Sequence, residues 1–311
     1  MRTYLECFPC MVRQALDASR MATEDIFLQE RILRQALKMV ADMPLTMSPP
    51  HMGREIHAMI RRESGSPDPY RAIKDQYHRL ALQALPRLEA IVAHADDPFG
   101  AAVRVAIAGN IIDFGAARQG EIDLGAVVER IEAEPLAVDH MEELRETFQQ
   151  ARTVLYLGDN AGETVFDRPL LKLMRDKHLT YAVRSAPVIN DATLEDALAV
   201  GLDELADLIE SGSDAPGTVW ELCSPAFRQL FHRADLVISK GQGNYESLSD
   251  RVHRALFFLL KTKCSQVAEQ FGCQIGGVIV DRSHTVQPDP HVKAAGNEPQ
   301  SPPAAPTGEP G

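Results

Sequence analysis

Three segments of the chain concentrate side chains able to do polar chemistry: Gly158-Asp159-Asn160-Ala161-Gly162-Glu163, Pro187-Val188-Ile189-Asn190-Asp191 and Ser239-Lys240-Gly241-Gln242-Gly243-Asn244-Tyr245-Glu246. Together they offer aspartate carboxylates, asparagine amides, one lysine and several glycines. Carboxylate and amide oxygens are hard ligands that suit Mg²⁺ or Mn²⁺, and a site with few protein ligands leaves coordination positions for water and a substrate phosphate. Neither His nor Cys occurs in these segments, which argues against a zinc-type ligand set there. Lysine can act as a point charge for a phosphoryl group, and glycines let backbone N–H groups approach it. Such parts can assist attack on phosphorus by a metal-activated water. Each segment taken alone reads equally well as a turn or a helix cap. What points to a site is their position at consecutive strand ends.

Thr153–Leu157 is a β-branched and aromatic run that stops at the first segment, and residues 180–183, 235–238 and 276–280 read as further strands. Residues 255–260 are readable as strand or helix. Helical stretches at about 169–177, 193–202 and 224–232 alternate with them, which implies an α/β fold, a Rossmann-like and mostly parallel sheet flanked by helices. In such sheets ligands bind beyond the carboxyl ends of the strands, where all three segments lie.

Before residue 150 the pattern is helical almost throughout; Ile73, Tyr77, Leu80, Ala84, Leu88 and Ile91 line one face of a helix that Pro86 is expected to kink or end. The prolines and glycine between residues 43 and 53, and those between 64 and 69, break the run into shorter helices. The expected organisation is a helical N-terminal domain over 1–148, an α/β metal-binding catalytic domain over 149–283, and a disordered Pro/Gly-rich tail over 284–311 that cannot bury enough surface to fold.

A chain of 311 residues that is 45% hydrophobic can bury a substantial core. Its formal charge of −12 argues against sequence-independent binding of nucleic acid, which needs clustered Lys and Arg. No apolar run approaches the roughly eighteen residues of a membrane span, and the opening MRTYLECFPC has no signal-peptide core, so a cytoplasmic location is expected. Five cysteines suit thiols or a metal site better than a disulfide framework.

Six blocks in order, CFPC (7–10 with its flank), GNIIDFG (109–115), GDNAGE (158–163), NDAT (190–193), KGQGNYE (240–246) and KTKC (261–264), make the chain resemble the damage-control phosphatase (ARMT-like) family, long catalogued as domain of unknown function eighty-nine. The resemblance implies a divalent cation (Mn²⁺, Mg²⁺, Co²⁺ or Ni²⁺) held by Asp159, Asn160 and Asp191, with Asp159, Lys240 and Lys263 catalytic. It also implies a phosphate-binding loop of Gly241, Gln242, Gly243, Asn244, Tyr245 and Glu246, with Asn110 reaching over from the helical portion. The implied substrates are small phosphorylated metabolites. Two departures stand out: Gln242 replaces the Asp of the eukaryotic sugar-phosphate branch, and Lys261-Thr262-Lys263 replaces its Arg-Thr-x-Lys block. The chain is similar instead to the compact prokaryotic group bearing a CxxC.

Several residues have a plain structural explanation beside the functional one. Asn110 and Asp113 can simply end a helix before Gly115. Cys7 and Cys10, spaced as metal or redox ligands with Cys264 able to supply a third thiolate, read first as buried or merely reactive thiols, and Cys223 and Cys273 as structural. Glu163 could serve as general base or as an anchor for the metal, yet a helix dipole alone explains it, and Ser211–Gly217 could cover the site but reads first as an ordinary turn-rich loop. An adenosylmethionine-dependent methyltransferase is a competing function, weakened by the absence of a GxGxxG and of an acidic residue after the second strand, which ends at Arg184. A non-catalytic phosphometabolite-binding protein is another. Oligomeric state is not legible.

Overall fold

Strand β2 (Thr153–Leu157) is buried along its last four residues, because both its faces are covered by helices. A computed structural model describes residues 1–109 and 134–283, and in it β2 is a central strand of a seven-stranded sheet of order β1-β7-β6-β5-β2-β3-β4. The others are β1 (Leu136–Asp139), β3 (His178–Val183), β4 (Asp207–Glu210), β5 (Leu236–Lys240), β6 (Leu256–Lys261) and β7 (Val278–Arg282). Every pairing is parallel except β6 with β7. The chain leaves β2 for β3 and β4 on one side and returns to β5 on the other, so the winding reverses between β2 and β5. That reversal opens a crevice at the carboxyl ends of these two strands.

The helical part comprises α1 (Cys7–Ala22), α2 (Ile26–Asp42), α3 (Pro49–Ser64), α4 (Arg71–His94) and α5 (Pro98–Ala108). Its boundaries follow local chemistry. Asp25 and Asp97 cap α2 and α5 by accepting from Phe27 N and Gly100 N, Pro49-Pro50 and Pro98 occupy first-turn positions, and Gly65 ends α3 in the left-handed region at φ 70°. Pro86 lies inside α4, which runs unbroken for 24 residues. Burial of Ala81, Ala84, Leu88 and Val92 on either side of it outweighs the hydrogen bond that proline forfeits.

A single helical unit over 1–148 is not what forms. Helices α1 to α3 share their own core, built on Ile32, Met52, Ile56, Met59 and Ile60. Helices α4 and α5 pack instead on one face of the sheet with Tyr156, Tyr181, Ile238, Phe257 and Leu259. Leu136–Asp139 joins the sheet as β1, and α6 (Met141–Gln150) follows it, so a boundary at 148 cuts through the sheet. A four-residue strand of half-buried pattern leaves no apolar run in the sequence to find it by. The segment 255–260 resolves as strand, and the residues of the tail, 284–311, lie outside those described.

The remaining helices are α7 (Thr164–Lys172), α8 (Leu194–Ala199), α9 (Pro225–Arg233), α10 (Gln242–Leu248) and α11 (Ser265–Gln270). The face opposite α4 and α5 is closed by Phe227 and Phe231 of α9, Tyr245 and Leu248 of α10 and Val267 of α11, over Leu155, Leu157, Val237 and Phe258. The alternation of neighbours such as Tyr156 and Leu157 between the two cores is the period-two pattern of a strand.

Lys74 of α4 fastens the helical layer to the sheet. Its ammonium is 2.7 Å from Asp196 and 2.8 Å from Asp68, and the lysine is 1% exposed. Asp196 closes a capping box with Thr193 at the start of α8. The loop after β3 is thereby anchored from above. Among the described residues no helix is long and apolar enough to cross a membrane.

Candidate metal and phosphate site

The loop after β2 is stitched to the loop after β3 by two backbone hydrogen bonds, Ala161 N to Asn190 O and Ala192 N to Asp159 O, each 2.8 Å. Asn160 and Asp191 therefore face each other as an isolated antiparallel bridge. Within the loop after β3 Ile189 takes φ 47°, a left-handed conformation that costs a β-branched side chain about 1–3 kcal/mol. The stitching holds that turn and delivers Asp159, Asn160 and Asp191 to one place. Asp159 and Asp191 are 6% and 4% exposed.

Arg184, one residue beyond β3, lies between these carboxylates and is 1% exposed. Its Nε donates to Asp191 Oδ2 at 2.7 Å and its Nη1 to Thr218 Oγ1 at 3.2 Å, while Nη2 stands 3.7 Å from Asp159 Oδ1 and makes no hydrogen bond among the described residues. Burial pushes the Asp191 carboxyl up to about 7; the guanidinium opposes this and the Asp159 charge adds to it. Sequence reasoning noted Arg184 only as a non-acidic strand end. A charged residue directly after the buried run Tyr181-Ala182-Val183 was the available signal.

Strand β5 ends in Lys240, which is completely buried. All three ammonium donors are taken: by Glu163 Oε1 at 2.6 Å, Asp167 Oδ1 at 2.7 Å and Ala106 O at 2.7 Å. The expectation that Lys240 meets a phosphoryl group is corrected accordingly; it lies beneath the site and pairs with protein carboxylates. Gly241 then turns the chain at φ 79°, and a Cβ there would overlap the Asp159 carboxylate. Gly241→Ala is expected to combine strain of about 1–2 kcal/mol with displacement of Asp159. Cation binding should weaken at least tenfold in a titration while thermal unfolding shows a folded protein; unchanged binding would show that this close approach is unimportant.

The rest of the loop divides between scaffold and rim. Asn244 is fully buried, donating to Gly158 O and Lys240 O and accepting from Thr218 Oγ1, so it splices the β2 and β5 loops to the segment after β4. Tyr245 packs on Phe258 and Phe271 and donates to Gln270. Neither is available to a substrate, contrary to expectation. Gly243 lies against Pro216 and Gly217, so the turn-rich loop packs on the first turn of α10. Gln242 joins the β5 loop to the β6 loop, donating to Glu246 Oε1 at 2.8 Å and accepting from Lys263 N at 2.8 Å. Burial pushes the Glu246 carboxyl up to about 7. Lys263 is exposed at the rim, and its charge acts on both Asp191 and Glu246.

Asn110 lies outside the described residues. Gly109, the last before it, brings the end of α5 against Glu163 and Phe166. All five cysteines are free. Burial raises the Cys7 and Cys10 thiols, with smaller contributions in the same direction from Glu246 and Cys264 and, at Cys7, an opposing backbone hydrogen bond at Tyr4. Cys223 is buried, donates to Val219 O and is pushed up to about 12.

Two carboxylates and an amide oxygen form a hard donor set suited to a divalent cation of the Mg²⁺ or Mn²⁺ type. Among the described residues there is no group of three or more His, Cys, Asp or Glu suited to a metal.

Residues 3–279 match the family model described as Damage-control phosphatase ARMT1-like domain. Relatives include an uncharacterised protein of Methanocaldococcus jannaschii, 36% identical over 87% of this chain and 92% of its own length. A damage-control phosphatase of Archaeoglobus fulgidus is 34% identical over 88% and 96%, and one of Pyrococcus horikoshii is 33% identical over 91% and 99%. The crystal structure of a DUF89 family protein from Pyrococcus horikoshii superposes with a TM-score of 0.85 at 33% identity, covering 91% of this chain and all of that one. The chain therefore belongs to the family of the Damage-control phosphatase ARMT1-like domain.

Proposed function

We propose that the protein is a metal-dependent phosphatase that hydrolyses small phosphorylated metabolites, sugar phosphates or related damaged metabolites. The observation that carries this reading is the meeting of Asp159, Asn160 and Asp191 at the crevice between β2 and β5, with the cations Arg184 and Lys263 beside them. Relatives named damage-control phosphatase across nearly the whole chain support it.

In this reading Asp159, Asn160 and Asp191 hold the divalent cation. When bound, the cation polarises phosphoryl oxygens and lowers the pKa of water. Lys263 at the rim offsets phosphate charge as the ester enters. Gln242 keeps the Lys263 backbone in place through its 2.8 Å bond, so substrate discrimination resides in the contact between the β5 and β6 loops. Arg184 holds Asp191 by its Nε and balances the charge of two adjacent carboxylates. Lys240 does not touch substrate; it fixes Glu163 from below.

Chelator-stripped protein should release phosphate from p-nitrophenyl phosphate or a panel of sugar phosphates only when Mn²⁺, Mg²⁺, Co²⁺ or Ni²⁺ is added back. Metal-independent saturable binding of adenosylmethionine without phosphate release would reverse the assignment in favour of a methyltransferase. Binding of phosphate esters without turnover by any metal-loaded sample would favour a non-catalytic role.

A further inference from the structure

An asparagine side chain presents two unlike ends to a cation, an oxygen that ligates it and an NH₂ that repels it. At Asn160 the NH₂ end is claimed by carboxylates: Nδ2 donates to Asp159 Oδ2 at 2.9 Å and to Glu163 Oε2 at 3.0 Å. Glu163 is itself fixed, since its other oxygen accepts from Lys240 Nζ at 2.6 Å. Lys240 is fixed in turn by Asp167 and the Ala106 carbonyl, and Asp167 accepts from the hydroxyls of Tyr156 at 2.7 Å and Tyr181 at 2.8 Å. Lys240, Asp167, Tyr156 and Tyr181 are 0% exposed and Glu163 is 2% exposed. Buried charge of this kind is weak as a source of stability, because desolvation offsets the attraction; an apolar set of similar volume would fill the space as well. What the network supplies is direction.

We infer that Glu163 is a positioning residue that sets the orientation of the Asn160 amide, with Lys240 and Asp167 holding Glu163, so that the amide oxygen faces the cation. The inference rests on the proposed cation site. Its logic is one of donors and acceptors. Glu163 accepts on both oxygens, one from an ammonium and one from an amide. A glutamine in its place must turn its own NH₂ toward either Lys240 or Asn160, donor against donor. Rotating Asn160 relieves the conflict and presents the wrong end to the cation. Changing Asn160 to aspartate as well reverses the direction of that hydrogen bond and restores the net charge of the pair.

The test is a thermodynamic cycle on the full chain, with Mn²⁺ affinity read by electron paramagnetic resonance of the free ion and thermal unfolding read in parallel. E163Q should weaken Mn²⁺ binding by roughly 10–100-fold, the usual cost of losing a partner that orients a ligand. N160D should gain little or lose affinity in the wild-type background, where it adds a carboxylate against Asp159 and Glu163. In the E163Q background the same change should recover at least tenfold. Equal effects of N160D in both backgrounds, or an E163Q protein with a lowered melting temperature and unchanged Mn²⁺ affinity, would overturn the inference and leave Glu163 a structural residue. Should E163Q fail to fold, E163D withdraws the same acceptors by one methylene and is expected to weaken Mn²⁺ binding in the same direction; E163D with wild-type affinity would overturn the inference. Asp191→Asn separates the two levels of the argument. If it abolishes Mn²⁺ binding while E163Q does not weaken it, the positioning role fails alone; if it leaves binding intact, the cation site fails and the positioning role with it.

Discussion

Asp191→Asn should yield a folded protein that neither binds a divalent cation tightly nor turns over a phosphate ester. The fold should tolerate the change because burial already holds this carboxyl up to about 7, so that an uncharged side chain of the same shape is close to what the site accepts near neutrality. Arg184 keeps its contacts to Thr218 and Asp159. The chemistry does not tolerate it, since one of two anionic ligands is gone. A metal supplies several kcal/mol of charge stabilisation to a phosphoryl transition state, and at about 1.4 kcal/mol per tenfold its loss corresponds to on the order of 10³ in kcat/KM. Asp159→Asn is expected to behave alike. Calorimetric Mn²⁺ titration, phosphate release and melting temperature together decide the matter. Wild-type turnover in either variant would remove that residue from the site.

Lys240→Met should have the largest effect on stability. It leaves Glu163 and Asp167 buried without their counter-charge, and removing one partner of a buried ion pair costs about 3–5 kcal/mol. For a chain of this size that lowers the melting temperature by roughly 10 °C. The deficit should depend on pH, with a sign fixed by Asp167. Burial raises its folded carboxyl to about 6, opposed by Lys240 and reinforced by Glu163, above its unfolded value near 3.8. A raised carboxyl contributes stability that is present below the unfolded value and lost as pH rises through the folded one. Without Lys240 the carboxyl moves higher still. The deficit should therefore be greatest at pH 7–8 and shrink toward pH 5, as melting curves across that range would show. A deficit that does not change with pH would mean that Asp167 is not the group left uncompensated.

These expectations all concern a network of which only part could be read from residue types. Asp159, Asn160, Asp191 and Gly241 were legible because they lie in the loops that follow strands β2, β3 and β5, and the carboxyl ends of parallel strands share one edge. The strands β2, β3 and β5 were legible because burial on both faces demands short β-branched or apolar runs, whereas 255–260 reads as strand or helix alike until pairing with β5 and β7 makes it β6. The capping residues Asp25, Asp97 and Ser224 fix their helix starts by hydrogen bonds to residues two or three positions on.

Other features depended on contacts far apart in the chain. Strand order decided that β2 and β5 flank the reversal, and no local pattern encodes which strands become neighbours. β1 forms because β7 offers it a partner 142 residues away in the register Leu136 to Val278, not because Leu136–Asp139 is strongly strand-forming. Lys240 reads as a phosphate ligand by type and position, yet its ammonium is used up by Glu163, Asp167 and Ala106, which lie 77, 73 and 134 residues away. Asn244 and Tyr245 likewise belong to a motif but serve the packing of its loop. The sequence by itself determined which polar groups reach the strand ends, because hydrophobic periodicity and turn chemistry are local. Only the tertiary structure decided which of those groups face a ligand and which are satisfied by the protein, because a buried donor or acceptor takes whatever partner the folded chain brings to it.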